Sequence, residues 1–411
     1  MAIMRDPLTV ARSIGDRFVS WQGAIGRPDP EKCPFVTTGG SFGPTHAHSP
    51  PYLAQALYRL YERTNEARYK EAADRYAVFS FSFMRDPVPP VADRQRNLRL
   101  SQRMERDPAS VGDPRTVNNL FSRSWMQGVG LWCFGEFRTH NPDEVCFDAR
   151  ADSLFDYLQQ HWTDRGHAYN IGYPPSNCQD PAITDGAFTD DLRWVGMGLV
   201  HYYEQTRRDD VLAAAVRLAD YYLRLHEPGS PDGAFVDGLG TWCIGPWPTE
   251  IAAEHFPSVR MDETGWGFSA RGAVEFLSRL HTCLPVDHPR EAVMRDRCTR
   301  SVEWQFSCQF PDGAVGMHKQ DDHWLGMTAA AIMAYDHILA VGWVDEGLEE
   351  RLAPKIAAAK EWLLANATEE FIDQGGYRKI TGRTTPHPPE NLAWLLGWTV
   401  EALLRIEAEA L

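Results

Sequence analysis

The chain has 411 residues, a formal charge of −15 and eight cysteines. That charge excludes nucleic acid and anionic membranes as partners, because both demand a basic surface that nothing in the sequence supplies. No apolar run approaches membrane length, and Met1–Gly23 carries charges where a signal peptide would be uninterruptedly apolar, so the expected location is cytoplasmic.

Taken in chain order, helical patterns come in pairs. Leu8–Trp21 is an amphipathic helix without an earlier partner. Leu53–Arg63 then pairs with Ala67–Met84. After Trp194, the run Val195-Gly196-Met197-Gly198-Leu199-Val200 is small and apolar almost all round, as in a helix packed on both sides. Its partner, Asp210–His226, alternates Leu212, Val216, Leu218, Tyr221 and Leu225 with Arg217, Asp220 and Arg224, which marks an outer helix. Phe268–Leu280 pairs with Arg290–Phe306 and Met327–Leu339 with Glu346–Ala365, and Asn391–Ile406 ends the chain without a later partner. Asp164-Arg165-Gly166, Asp232-Gly233, Asp312-Gly313 and Gly375-Gly376 are turn signals that close most outer helices.

Each inner helix opens on a recurring signature, a polar residue able to cap the helix and an aromatic ring about one turn later. The plain copies are Asp190-Asp191-Leu192-Arg193-Trp194, Asp262-Glu263-Thr264-Gly265-Trp266 and Asp321-Asp322-His323-Trp324. Looser copies are His48-Ser49-Pro50-Pro51-Tyr52, Ser122-Arg123-Ser124-Trp125 and Glu390-Asn391-Leu392-Ala393-Trp394. Pairing the two terminal helices closes a ring of six inner and six outer helices. The expected fold is therefore an all-α (α/α)6 toroid spanning 1–411 as one catalytic domain, with an open solenoid as the alternative. Asp86–Pro90, Arg94–Pro114 and Glu227–Pro257 are expected to be long loops on the funnel face.

The chemistry has to come from side chains. There is no Cys-x-x-Cys pair, no glycine fingerprint and no phosphate loop, so no cofactor and no catalytic metal is expected. The histidines that a metal would gather, His46, His48, His318 and His323, fall in expected loops. The strongest acid site is Asp190-Asp191, where adjacent carboxylates at a helix start divide into a cap and a group of raised proton affinity suited to general acid catalysis. Glu263 and Asp322 compete to supply the second carboxylate, which in an inverting hydrolase stands roughly 6.5 to 9.5 Å from the first. Trp125, Trp194, Trp266 and Trp324 are expected to stack on pyranose rings, with His48, His318 and His323 beside them, although each ring alone is as well explained by core packing. Arg123, Arg260, Arg271 and Lys319 are cations able to clamp a uronate. The expected partner is an oligosaccharide or sugar.

Two stretches carry a resemblance. Thr189-Asp190-Asp191-Leu192, continuing to Glu204-Gln205-Thr206 and Val211-Leu212-Ala213-Ala214-Ala215, resembles the acid-bearing helix pair of unsaturated glucuronyl and rhamnogalacturonyl hydrolases. Ser269-Ala270-Arg271-Gly272-Ala273 is similar to their Trp-Ala-Arg-Gly-x-x-Trp segment without its two tryptophans. The resemblance implies a glycoside hydrolase in which Asp191 protonates the double bond of a 4,5-unsaturated uronic acid, water adds to the neighbouring carbon, and Arg271 lies near the site. Those enzymes place a second aspartate on the preceding inner helix, where this chain has Asn118-Asn119 and Ser122-Arg123.

Four other readings fit the same scaffold. An N-acylglucosamine 2-epimerase-like isomerase would use His318, His323 and His48 as acid and base, without the His-x-x-Glu-Trp segment usual in such enzymes. A uronate lyase and an inverting mannanase-like enzyme are two more, the latter using an Asp-Asp pair like Asp190-Asp191. A non-catalytic glycan-binding ring is the last.

Overall fold

The computed structural model describes residues 5–22, 49–82, 124–159, 162–166, 189–227, 232–243, 265–317, 323–373, 377–378 and 393–409. In chain order the helices are α1 (Pro7–Ser20), α2 (Ser49–Thr64), α3 (Ala67–Ser82), α4 (Ser124–His140), α5 (Asp148–Gln159), α6 (Thr189–Thr206) and α7 (Asp209–Leu223). They continue with α8 (Gly267–Cys283), α9 (Glu291–Ser307), α10 (Leu325–Ala340), α11 (Glu346–Asn366), the short α12 (Glu369–Asp373) and α13 (Ala393–Glu409). Four two-residue strands form two antiparallel pairs, β1 (Phe235–Val236) with β2 (Thr241–Trp242) and β3 (His323–Trp324) with β4 (Tyr377–Arg378).

Helix α2 packs on α4, α4 on α6, α6 on α8, α8 on α10, α10 on α13 and α13 back on α2, which closes an inner ring of six. Around it lie α1, α3, α5, α7, α9 and α11. The unpartnered ends meet as the sequence pattern requires, since α1 packs on both α13 and α2. Asp6 caps α1 by accepting the Thr9 backbone N–H at 2.8 Å, and Pro7 supplies the preset φ of the first turn.

The inner–outer distinction rests on which faces are apolar. In α10 every residue from Leu325 to Tyr335 is buried, whereas α7 buries Val211, Ala214, Ala215 and Leu218 and leaves its other face to solvent. Between α4 and α6 the backbones touch. A methyl on Gly198 would be driven into the Gly128 carbonyl, and one on Gly135 into His201, so these glycines set the helix separation. Inner helices α8, α10, α13 and α2 meet start to start: Gly267 abuts Met327, Gly326 abuts Leu395 and Gly397 abuts Tyr52, all within the first five residues of their helices.

Some turns follow the sequence signals and some do not. Gly166 and Gly313 adopt φ of +95° and +102°, as Asp-Arg-Gly and Asp-Gly predict. Gly233 is not left-handed; it is there because a side chain would strike the Leu225 carbonyl. Gly375-Gly376 lies outside the described residues. In two of the inner-to-outer turns that lack glycine, Asn65 and Arg207 stand at φ of +57° and +54°. Each follows a threonine whose hydroxyl donates one turn back, Thr64 to the Leu60 carbonyl and Thr206 to the Tyr202 carbonyl. No helix among the described residues is long and apolar enough to cross a membrane.

Candidate functional site

The start of α6 is fixed from three directions by Thr189. Its hydroxyl donates to the Cys243 carbonyl after β2 and lies 3.1 Å from Ser269 Oγ on α8, while its carbonyl accepts Tyr222 Oη–H from α7 at 2.5 Å. The backbone of Asp190-Asp191 follows directly in the first turn, where negative charge is favoured by the free amides. The other five inner helices open without an acid in the first turn.

This corrects the equivalence read from the repeat. Helices α8 and α10 begin at Gly267 and Leu325, and their caps are Trp266 and Trp324, extended at φ, ψ of −131°, 123° and −133°, 125°, with no side-chain cap bond. Asp262-Glu263 and Asp321-Asp322 therefore precede the caps instead of forming them. The reason is backbone pairing that holds the entering chain extended, through Gly265 to Cys243 and through His323-Trp324 to Tyr377-Arg378. His48, Arg123, Arg260, Glu263, His318, Lys319 and Asp322 lie outside the described residues, as do the side chains of Trp125, Asp190 and Asp191.

Below the helix starts the lumen is floored by aromatic rings. Tyr52 of α2 meets Trp194 of α6 edge to face at 4.7 Å, Trp132 of α4 at 4.9 Å and Trp398 of α13 at 5.8 Å. Phe268 joins Trp398 at 5.9 Å and Trp266 at 5.9 Å. Trp194 and Trp266 are each 5% exposed, so they build the floor itself. Arg193 lies 4.4 Å over Trp194, and Arg271 lies 4.2 Å over Trp398 with Nη1 2.5 Å from Glu275. The Arg271 charge, a possible uronate clamp by sequence, is thus committed to a carboxylate one helical turn away.

His323 and Trp324 face elsewhere. His323 packs edge to face on Phe310 at 4.6 Å, lies 5.7 Å from Trp362 of outer helix α11, and has Nε2 3.5 Å from Asp312. Trp324 is fully buried, and its carbonyl accepts the Thr328 hydroxyl at 3.0 Å.

A charged layer that the repeat did not signal lies roughly two to three turns below the helix starts. Glu136 of α4 accepts Arg59 of α2 at 2.9 Å and Gln55 at 3.3 Å, with His201 of α6 3.9 Å away. Glu275 holds Arg271, with His337 of α10 3.8 Å away. Arg279 forks onto Glu204 at 2.7 and 2.9 Å. Burial lowers the His201 imidazole well below its ordinary value, with Arg279 and Arg59 adding to it, and lowers His337 to about 3. Burial likewise raises the Glu401 carboxyl of α13 to about 7 against the pull of Arg271 and Arg59. For Glu275 burial acts upward, yet the field of Arg271 and its neighbours wins and holds it below the usual carboxylate value.

No protein-family model and no curated protein sequence matches the chain. Solved structures do. The unsaturated glucuronyl hydrolase from Bacillus sp. GL1 is 15% identical, with a TM-score of 0.64 over 99% of this chain and 97% of that one. A glycosyl hydrolase of family 88 from Bacteroides vulgatus is 13% identical, with a TM-score of 0.60 over 97% and 99%. The α-1,6-mannanase GH76A of Salegentibacter sp. HEL1_6 is 12% identical, with a TM-score of 0.59 over 98% and 99%. At this identity the likeness is one of fold. The chain is an (α/α)6 toroid.

Within the toroid, the signal that would have found the charged layer is the helical spacing inside each inner helix. Arg271, Glu275 and Arg279 recur every fourth residue on α8, and Glu401 and Arg405 do so on α13, in helices otherwise apolar.

Proposed function

We propose that the chain is an exo-acting glycoside hydrolase for uronic-acid-containing, 4,5-unsaturated oligosaccharides, acting as one catalytic domain with water as second substrate. Asp191 is the general acid, delivering a proton to the double bond; water then adds to the adjacent carbon and the hemiketal opens to release the remaining sugar chain. Asp190 is mainly the cap that holds the start of α6. Glu263 and Asp322 are the carboxylates proposed to activate water, and His48, Arg123, Trp125 and His318 are the proposed sugar contacts above a floor that includes Trp194 and Trp266; Arg271, His323 and Trp324, sugar contacts by sequence, are engaged elsewhere.

One observation carries this reading: among the inner helices, acids occupy the first turn of α6, and that turn is pinned through Thr189 to α7, α8 and the β1–β2 hairpin. An acid carried on an anchored helix start above an aromatic floor suits protonation of a bound sugar. The likeness in fold to an unsaturated glucuronyl hydrolase over nearly the whole of both chains supports it. The test is turnover of an unsaturated glucuronyl disaccharide, followed by loss of the double-bond absorbance, by wild type and Asp191→Asn. Wild-type turnover reduced on the order of a hundredfold or more in the variant supports the proposal; a variant within a few-fold of wild type moves the acid to Asp322 or Glu263.

A second reading has its own observation. One solved form of the α-1,6-mannanase is an inactive variant with asparagine at two adjacent aspartates, in complex with α-1,6-mannotriose. Asp190-Asp191 is such a pair, and cleavage of α-1,6-mannan without any action on unsaturated uronides would select that reading. The isomerase reading is weakened by His323, which packs toward outer helix α11.

A further inference from the structure

On five inner helices a buried polar atom has no hydrogen-bond partner among the described residues. These are Gln55 Oε1 of α2, His201 Nε2 of α6, Arg271 Nε of α8, His337 Nε2 of α10 and Glu401 Oε1 of α13. Gln55 and His201 are each 2% exposed, Arg271 1% and Glu401 6%, while the His337 side chain is 17% exposed with its Nε2 buried. Two ionic clusters tie the group together. Gln55, Arg59 and His201 surround Glu136, and Arg271 and His337 flank Glu275. Glu401 feels both, through Arg59 on one side and Arg271 and Glu275 on the other.

We propose that the toroid axis beneath the aromatic floor is a built internal site for ordered water, held by Gln55, His201, Arg271, His337 and Glu401.

The chemistry of the five atoms selects the ligand. The Arg271 Nε–H donates, the Gln55 carbonyl oxygen accepts, each imidazole nitrogen takes either role with its tautomer, and a carboxyl group donates or accepts with its protonation. A mixed set of this kind matches water, which donates twice and accepts twice. An ion fits poorly because the fixed charges are already matched: Arg59 with Glu136, Arg271 with Glu275, Arg279 with Glu204, and Arg405 with Asp336 at 3.5 Å. An anion would meet Glu136, Glu275 and Glu401, and a cation would meet the four guanidinium groups. A dry axis would leave five buried polar atoms unpaired in one place, against the rule that such groups find a partner.

A crystal structure of the full chain that shows ordered water, paired with water-¹⁷O relaxation dispersion in solution, tests this. Expected are two or more axial waters, each within hydrogen-bond distance of at least two of the five atoms, and a reduced dispersion amplitude in Glu401→Leu and Gln55→Leu. A dry axis in which these atoms pair with one another overturns the proposal, as does an amplitude unchanged in the variants. If Glu401→Leu fails to fold, Gln55→Leu and the wild-type crystal structure decide.

Discussion

Arg193 of α6 reaches across the lumen to Trp398 of α13, the helix opposite it in the ring, with its guanidinium carbon 5.5 Å from the ring centroid. It passes over Gly272 of α8, where a methyl would collide with its Cδ. Gly272→Ala is therefore expected to push Arg193 off the stack and to cost about 1 to 3 kcal/mol, the usual range for overpacking. Urea unfolding of wild type and variant measures it, and an unchanged midpoint would mean that the side chain gives way freely.

The α4–α6 seam makes a paired prediction. Gly198→Ala drives a methyl into the Gly128 carbonyl and is expected to lower stability by roughly 1 to 3 kcal/mol, whereas Gly238, with nothing within 4 Å of a built methyl, should accept alanine with little effect. Equal melting shifts for the two variants would contradict the close-contact account.

Stability should depend on pH through Glu401. Its folded carboxyl is raised to about 7 from 4.5, so its contribution is complete below the unfolded value and disappears as pH rises through about 7. Facing it are Arg59 from α2, Arg271 and Glu275 from α8 and Arg405 from its own helix, with His337 and Asp336 of α10 beside those partners. His201 and His337 oppose it: their lowered imidazoles bind protons more weakly folded than unfolded, so their contribution falls as pH drops below 6.5. The difference between wild type and Glu401→Gln isolates the carboxyl. The variant should melt above wild type at pH 8, by up to roughly 3 kcal/mol of stability, and near it at pH 4.5. Melting curves that run parallel across this range would remove Glu401 as the titrating group.

Thr189→Val tests whether anchoring of α6 matters to the chemistry. Loss of its hydroxyl bonds to Cys243 and Ser269 is expected to lower kcat on an unsaturated uronyl disaccharide about tenfold or more while KM changes little. Steady-state kinetics decides, and a change in KM alone would assign Thr189 to binding.

The ring was legible because its evidence is periodic and local. An all-apolar α10, an amphipathic α7 and an unpartnered helix at each end state the pairing outright. Register at the helix starts was not, because a polar residue before an aromatic ring looks the same whether the acid lies inside the first turn, as in Asp190-Asp191, or precedes an extended tryptophan cap, as before Trp266 and Trp324. That difference depends on backbone pairing of the entering chain with distant segments, Gly265 with Cys243 and His323-Trp324 with Tyr377-Arg378. The axial layer was hidden for the opposite reason. Glu275 is one turn from Arg271 on its own helix, but Glu136 and Glu401 become neighbours of Arg59 only through packing of separate helices.

The most direct measurement of the proposed reaction is isotope placement after turnover of an unsaturated glucuronyl disaccharide in water enriched in deuterium and ¹⁸O. Protonation by Asp191 followed by hydration predicts one solvent deuterium at C4 and one ¹⁸O at C5 of the released uronic acid, with both lost in Asp191→Asn. Label at the anomeric carbon without deuterium at C4 would show direct glycosidic hydrolysis, and deuterium at C2 of an uncleaved monosaccharide would show epimerisation; either result contradicts the account.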